Sequence, residues 1–230
     1  MPKEKSHPID NILSIEDMRL KRSVGAFINW VDVKIEEIPE DKETSKKLRT
    51  TPSRIWGYFT DESMPLKHYL KSTYGDTEDV FVEMYFDSRN YDAKIFSDKE
   101  IHIEITKACD GEQDHHRKLI LNQEGSVTAF GKIIIKGTKK SGFTHTPPPL
   151  VATTPSKICE ERLELIKKAL LLKIKKDYPA HTILLISFDD YTLSHEEHLI
   201  SGIKNIVEKN DMGEFIKIVV LGETGKIYTQ

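Results

Sequence analysis

Tyr91-Asp92-Ala93-Lys94-Ile95-Phe96-Ser97-Asp98-Lys99-Glu100-Ile101-His102-Ile103-Glu104-Ile105-Thr106-Lys107 is the stretch on which the fold turns. Apolar side chains recur at every second position, the period of a half-buried strand, and Ser97-Asp98-Lys99 interrupts them with turn chemistry. Alternation also predicts the register. Ile101, Ile103 and Ile105 share one face of the second arm, and His102, Glu104 and Thr106 share the other. A two-residue turn would set Lys94 against Ile103 and Asp92 against Ile105, at a cost of roughly a few kcal/mol for each charge. A three-residue loop instead pairs Ile95 with Ile101, Ala93 with Ile103 and Tyr91 with Ile105. The apolar face then closes, Lys94 opposes His102, and Asp92 opposes Glu104. Opposed strand residues have Cβ atoms roughly 4.5 to 5.5 Å apart, near enough for two carboxylates to share one metal ion.

Working outward, residues 80–86 read as a preceding strand, joined through Asp87-Ser88-Arg89-Asn90, so the region is an antiparallel three-stranded meander. Upstream, Ser14 caps a helix expected to run to Ile38 before Pro39, and a second helical piece carries Ile55, Phe59, Leu66, Tyr69 and Leu70. The charged run 40–49 is a linker or a solvated helix end. Downstream come a polar helix (114–123), a short strand or hairpin arm (131–137), and the stiff connector Pro147-Pro148-Pro149. A helix then opens at Thr154-Pro155 and extends to about Lys176. The unbroken apolar run in 182–188 reads as a central strand covered on both faces. Ser194 and Glu197 form a capping box for a helix to Lys209, followed by strands at 215–221 and 226–229. The pattern is α/β, with 1–75 an N-terminal arm and helical segment packed on a core of 76–230, into which 109–153 is a basic insertion.

The chain has 230 residues, enough for one full core, and a formal charge of −3. No run nears the roughly 18 apolar residues of a membrane span, and the first residues lack the apolar core of a signal peptide, which points to a soluble, cytoplasmic protein without a membrane partner. Cys109 and Cys159 have no metal-ligand spacing and read as ordinary thiols. The modest net charge hides a divided chain. Between Asp76 and His116 twelve acidic residues face four basic ones, whereas between Arg117 and Lys176 thirteen basic residues face four acidic ones.

With its acids on a meander followed by a helix and a central strand, the chain resembles the PD-(D/E)xK nuclease superfamily, the restriction-endonuclease-like fold, over roughly residues 80–188. In that family an acid opening the second strand and an acid in the third hold Mg²⁺, and a lysine two positions later orients the attacking water. The resemblance implies Asp92 and Glu104 as ligands of Mg²⁺ or Mn²⁺ and as catalytic residues. It also exposes a departure, because Thr106 occupies the lysine position and Lys107 falls on the opposite strand face. A lysine borrowed from elsewhere would restore the site, with Lys94 the first candidate and Lys107 the second.

Two functions follow. The first is a metal-dependent hydrolase cleaving phosphodiester bonds, in DNA by family analogy, with Lys132, Lys136, Lys139, Lys140, Lys167 and Lys168 holding the phosphate backbone. The second is a non-catalytic subunit of the same fold, binding nucleic acid, a protein partner or a second copy of itself in a defence or mobile-element system. Glu104, read as a half-exposed strand residue, is expected to be dispensable for folding. His195-Glu196-Glu197-His198 lacks zincin spacing, Asp189-Asp190 reads as a turn, Asp114-His115-His116 as a helix start, and Gly222-Glu223-Thr224-Gly225 as a hairpin.

Overall fold

Alternation along the meander decides which side of the sheet is buried. Val82, Met84, Ala93, Ile95 and Ile103 point inward and are almost fully buried, while the residues between them remain exposed or half-exposed. A computed structural model describes residues 7–127, 132–138, 142–146, 154–191 and 196–229. Along the chain these form α1 (Ile15–Met18), β1 (Arg22–Ser23), α2 (Val24–Glu36), α3 (Lys42–Thr50), α4 (Arg54–Tyr58), a π-helical segment (Phe59–Ser63) and α5 (Met64–Tyr74). There follow β2 (Phe81–Met84), β3 (Ala93–Phe96), β4 (Glu100–Lys107), α6 (Gly111–Glu124), β5 (Ile134–Thr138) and β6 (Gly142–Thr146). The last elements are α7 (Pro155–Lys173), β7 (Thr182–Phe188), α8 (Glu196–Lys209) and β8 (Phe215–Gly222).

One six-stranded mixed sheet runs in the order β1-β2-β3-β4-β7-β8, and β5 and β6 form a separate hairpin. The first four strands are antiparallel, whereas β4, β7 and β8 are parallel. From Ala93 on, the meander register is the one alternation predicts, with Ala93 opposite Ile103, Lys94 opposite His102 and Ile95 opposite Ile101, whereas Tyr91, expected opposite Ile105, precedes the strand and turns outward onto Tyr85 and His102. All seven residues of β7 are buried, the apolar run Ile183-Leu184-Leu185-Ile186 together with the polar Thr182 and Ser187. One core joins the inward meander residues to Phe27, Val31, Leu66 and Leu70 of α2 and α5. The other joins Leu184, Ile186 and Val220 to Ile166 and Leu170 of α7 and to Leu199 and Ile203 of α8.

Two expectations are corrected and one open alternative is settled. The helix from Ser14 to Ile38 is broken after one turn, because Arg22 and Ser23 extend to pair with Val82 and Phe81. Ser23 then caps a new helix by accepting the Ala26 N–H at 3.2 Å, a competing use of serine that apolar periodicity does not reveal. The charged run 42–50 is a helix with no buried residue. The final strand is reduced to a bridge between Leu221 and Ile227. Ser194 and Pro147 to Pro149 lie outside the described residues.

Asp190 ties down the C-terminal turn. Only 7% exposed, it accepts the Thr224 N–H at 3.0 Å, the Thr224 hydroxyl at 2.6 Å and the Tyr228 hydroxyl at 3.0 Å. A Cβ on Gly222 would lie 1.8 Å from the same carboxylate, so glycine is required there. Asp190→Ala strands these donors and is expected to cost about 2 kcal/mol, read from urea unfolding. An unchanged midpoint would show the clasp to be dispensable.

Candidate active site

Asp92 stands immediately before β3 and remains in the ladder, its N–H donating to the Ile103 carbonyl at 2.8 Å and its carbonyl accepting the Tyr85 N–H at 2.8 Å. Its Oδ2 accepts the Ile105 N–H at 2.7 Å, so main chain fixes the side chain. Glu104, from the middle of β4, is only 6% exposed. Its Oε1 receives the ammonium of Lys173, at the C-terminal end of α7, and the Tyr178 hydroxyl at 3.4 Å. The half-exposed Glu104 expected from alternation is therefore corrected: α7 and the loop after it cover the carboxylate.

A third acid comes from the π-helical segment. The wide turn buries Phe59 and Ser63 and leaves Asp61 beside Lys107, at 3.2 Å, and Glu62 beside the strand acids. Burial first, and then the charges on Asp92, Asp61 and Glu104, push Glu62 up to about 8, with Lys173 opposing. Asp92 is pushed up to about 7 by burial and by Glu104, against the Ile105 N–H, Lys173 and Lys176. Burial and Glu104 also raise the Tyr178 hydroxyl. The three carboxyl groups thus feel one another strongly.

Two observations bear on a divalent cation. Among the described residues no group of three or more His, Cys, Asp or Glu side chains is arranged to hold a metal ion, yet Mg²⁺ needs only one or two carboxylates beside water and phosphate oxygens. Glu62 Oε2 is buried without a hydrogen-bond partner. Such an orphaned acceptor costs free energy unless a cation, a water or a proton satisfies it. Asp92 and Glu104 fit as ligands, with Glu62 within electrostatic reach.

The two lysine candidates have other partners. Lys94 reaches Glu100 at 3.1 Å, and Lys107 is held between Asp61 and Glu223, at 3.2 and 2.8 Å. Burial opposes its charge, but the two acids overcome this and raise its pKa. Neither lysine touches Glu104. Thr106 is half-buried on the Glu104 face of β4, and the ammonium there is that of Lys173. Lys132, Lys136, Lys167 and Lys168 are exposed, and Lys139 and Lys140 lie outside the described residues. A groove of about 1110 Å³ beside α7 is lined in part by Lys132, Lys157, Lys168 and Lys175. None of these four makes an ion pair among the described residues.

Glu62, Lys173 and Tyr178 escaped the reading of motifs. The first two share a signal: each sits at helical spacing within an apolar stripe, Glu62 between Phe59 and Leu66, Lys173 after Ile166 and Leu170. Other candidates have structural partners. Asp189 pairs with Arg162 at 2.6 Å, Asp114 lies 3.7 Å from Arg117, and His116 is buried. Cys109 and Cys159 are free thiols. No described helix is long and apolar enough to cross a membrane. No family model, curated protein or solved structure matches the chain.

Proposed function

We propose that the chain hydrolyses phosphodiester bonds of nucleic acid with Mg²⁺ or Mn²⁺ held by Asp92 and Glu104, as a divergent PD-(D/E)xK nuclease for which DNA is the implied substrate. The observation that carries this reading is the convergence of two strand carboxylates with the Lys173 ammonium, since it offers in space the cation that Thr106 lacks in sequence. A bound divalent ion supplies a water of lowered pKa and offsets charge on the phosphate. The protein residues do the rest. The Ile105 N–H orients Asp92, and Lys173 stands ready to meet negative charge growing on the phosphoryl oxygens. Glu62, lifted to about 8, suits proton exchange near neutral pH.

A second reading, a non-catalytic binding or assembly subunit in a defence or mobile-element system, is favoured by one observation: Glu104 already has a cation in Lys173. Incubation with plasmid, single-stranded DNA and RNA in Mg²⁺, Mn²⁺ or EDTA separates the two. Glu104→Gln, chosen over alanine because the site is buried, is expected to lower metal-dependent cleavage by about 100-fold or more. Cleavage that survives both EDTA and this change belongs to another site, and intact binding without cleavage supports the second reading.

A further inference from the structure

The outward side of the meander carries rings. Phe81 is 41% exposed and lies opposite Phe96 in the β2–β3 ladder. Further along the same face Tyr85 meets Tyr91 edge-on, with centroids 5.4 Å apart, and Tyr91 leans on His102 at 4.6 Å. Cations accompany them. The Lys21 ammonium lies 3.5 Å from the Phe96 centroid and the Arg89 guanidinium 4.0 Å from that of Tyr85. Lys94 lies between the two ring groups, 5.7 Å from Phe96 and 6.0 Å from Tyr91.

This strip is continuous with the acid site. Tyr91 directly precedes Asp92, and His102 is two positions before Glu104 on the same strand face. On the other side the groove along α7, lined by lysines and by acids such as Glu160, Glu161 and Glu164, reaches Lys175, two residues beyond Lys173. Charge and stacking are thereby divided. On the aromatic face Lys94 is offset by Glu100 and Arg89 by Asp87, so that face has little surplus charge with which to hold a backbone. Lys157, Lys167 and Lys168 of α7 make no ion pair among the described residues and supply free ammonium groups, although Glu160, Glu161 and Glu164 line the same groove.

We propose that the outward face of β2, β3 and β4 is a base-stacking platform, and that the site therefore takes single-stranded nucleic acid, with phosphates on Lys157, Lys167 and Lys168 and bases on Phe81 and Tyr91. This rests on the nuclease reading of the acid site only for where the strand crosses it. A ring lying on a sheet is useful only to a base whose own face is free, and in a duplex those faces are stacked on neighbouring pairs. Aromatic stacking is tolerant of base identity, so the platform sets strandedness and not sequence.

Binding measured in EDTA separates this proposal from cleavage. Fluorescence anisotropy is read with a labelled 15-nucleotide oligothymidine, an abasic oligomer of the same length and a duplex of the same length. The oligothymidine is expected to bind about tenfold tighter than the abasic oligomer, which carries the phosphates without the rings. Phe81→Ala with Tyr91→Ala removes that difference, while Tyr91→Phe keeps it, and thermal melting verifies that each variant folds. Equal affinity for all three probes, no binding of any of them, or an unchanged preference in the folded double variant overturns the platform. Loss of cleavage with the preference intact overturns only the nuclease.

Discussion

At pH 8.5 a chain carrying Glu62→Gln is expected to be more stable than the unaltered protein by about 2 kcal/mol, and at pH 4 the two are expected to be equal. Glu62 is raised from 4.5 to about 8 in the folded chain. Between those values the folded state holds a proton that the unfolded state has released, so stability falls as pH rises through the window. The full shift sets an upper bound near ~5 kcal/mol, part of which is shared with Asp92, itself raised to about 7 and linked to the same charges. Glutamine keeps the shape and never ionises. If Glu62 serves the chemistry, this gain comes with a loss of cleavage, expected at about 100-fold. Added Mg²⁺ should stabilise the unaltered chain most at alkaline pH, where the carboxylates are ionised, and the variant less. Urea midpoints from pH 4 to pH 9 test this, and parallel curves for the two chains would remove Glu62 from the acid cluster.

Lys173→Met is expected to damage both activity and stability, each by a separable route. It removes the ammonium on Glu104, which we expect to slow cleavage by about 100-fold. It also leaves a carboxylate that is 6% exposed with the Tyr178 hydroxyl as its remaining side-chain donor among the described residues, a change that costs about 3 kcal/mol when a buried pair loses one partner. Combining it with Glu104→Gln should restore most of the stability and none of the activity. Single-turnover rates and urea unfolding across this double-mutant cycle make the distinction. Lys94→Met serves as the control, because its partner is the more exposed Glu100. Wild-type rates in Lys173→Met together with an inactive Lys94→Met would return the role to Lys94.

The contrast between Lys94 and Lys173 shows how much of the site was legible. Local alternation was enough to set Ala93, Lys94 and Ile95 against Ile103, His102 and Ile101, because a slip of one residue in β3 would have turned charged side chains onto the isoleucine face. The central strand was legible for the same reason, its seven buried positions demanding cover on both sides. Alternation says nothing, however, about what a helix 69 residues away delivers to the Glu104 face. Glu62 and Lys173 looked like polar interruptions of apolar stripes, and only the packing of α7 and the π-helical turn against the sheet shows both aimed at one place. The N-terminal break failed differently: Arg22 and Ser23 have little strand character of their own and extend because β2 offers them an edge.

The parallel pairing of β4 with β7 carries a consequence for how the protein becomes competent. The meander can close from short loops, whereas β7 must find β4 across the whole 109–153 segment and α7, a costly closure that comes late in folding. Lys173 and Tyr178 arrive on Glu104 with that same closure. A nascent chain released before β7 docks would carry Asp92 and Glu104 on the meander but not the ammonium between α7 and the sheet. Assembly of the acids with their ammonium is thus tied to completion of the fold, and on the nuclease reading a half-folded chain is not expected to cut.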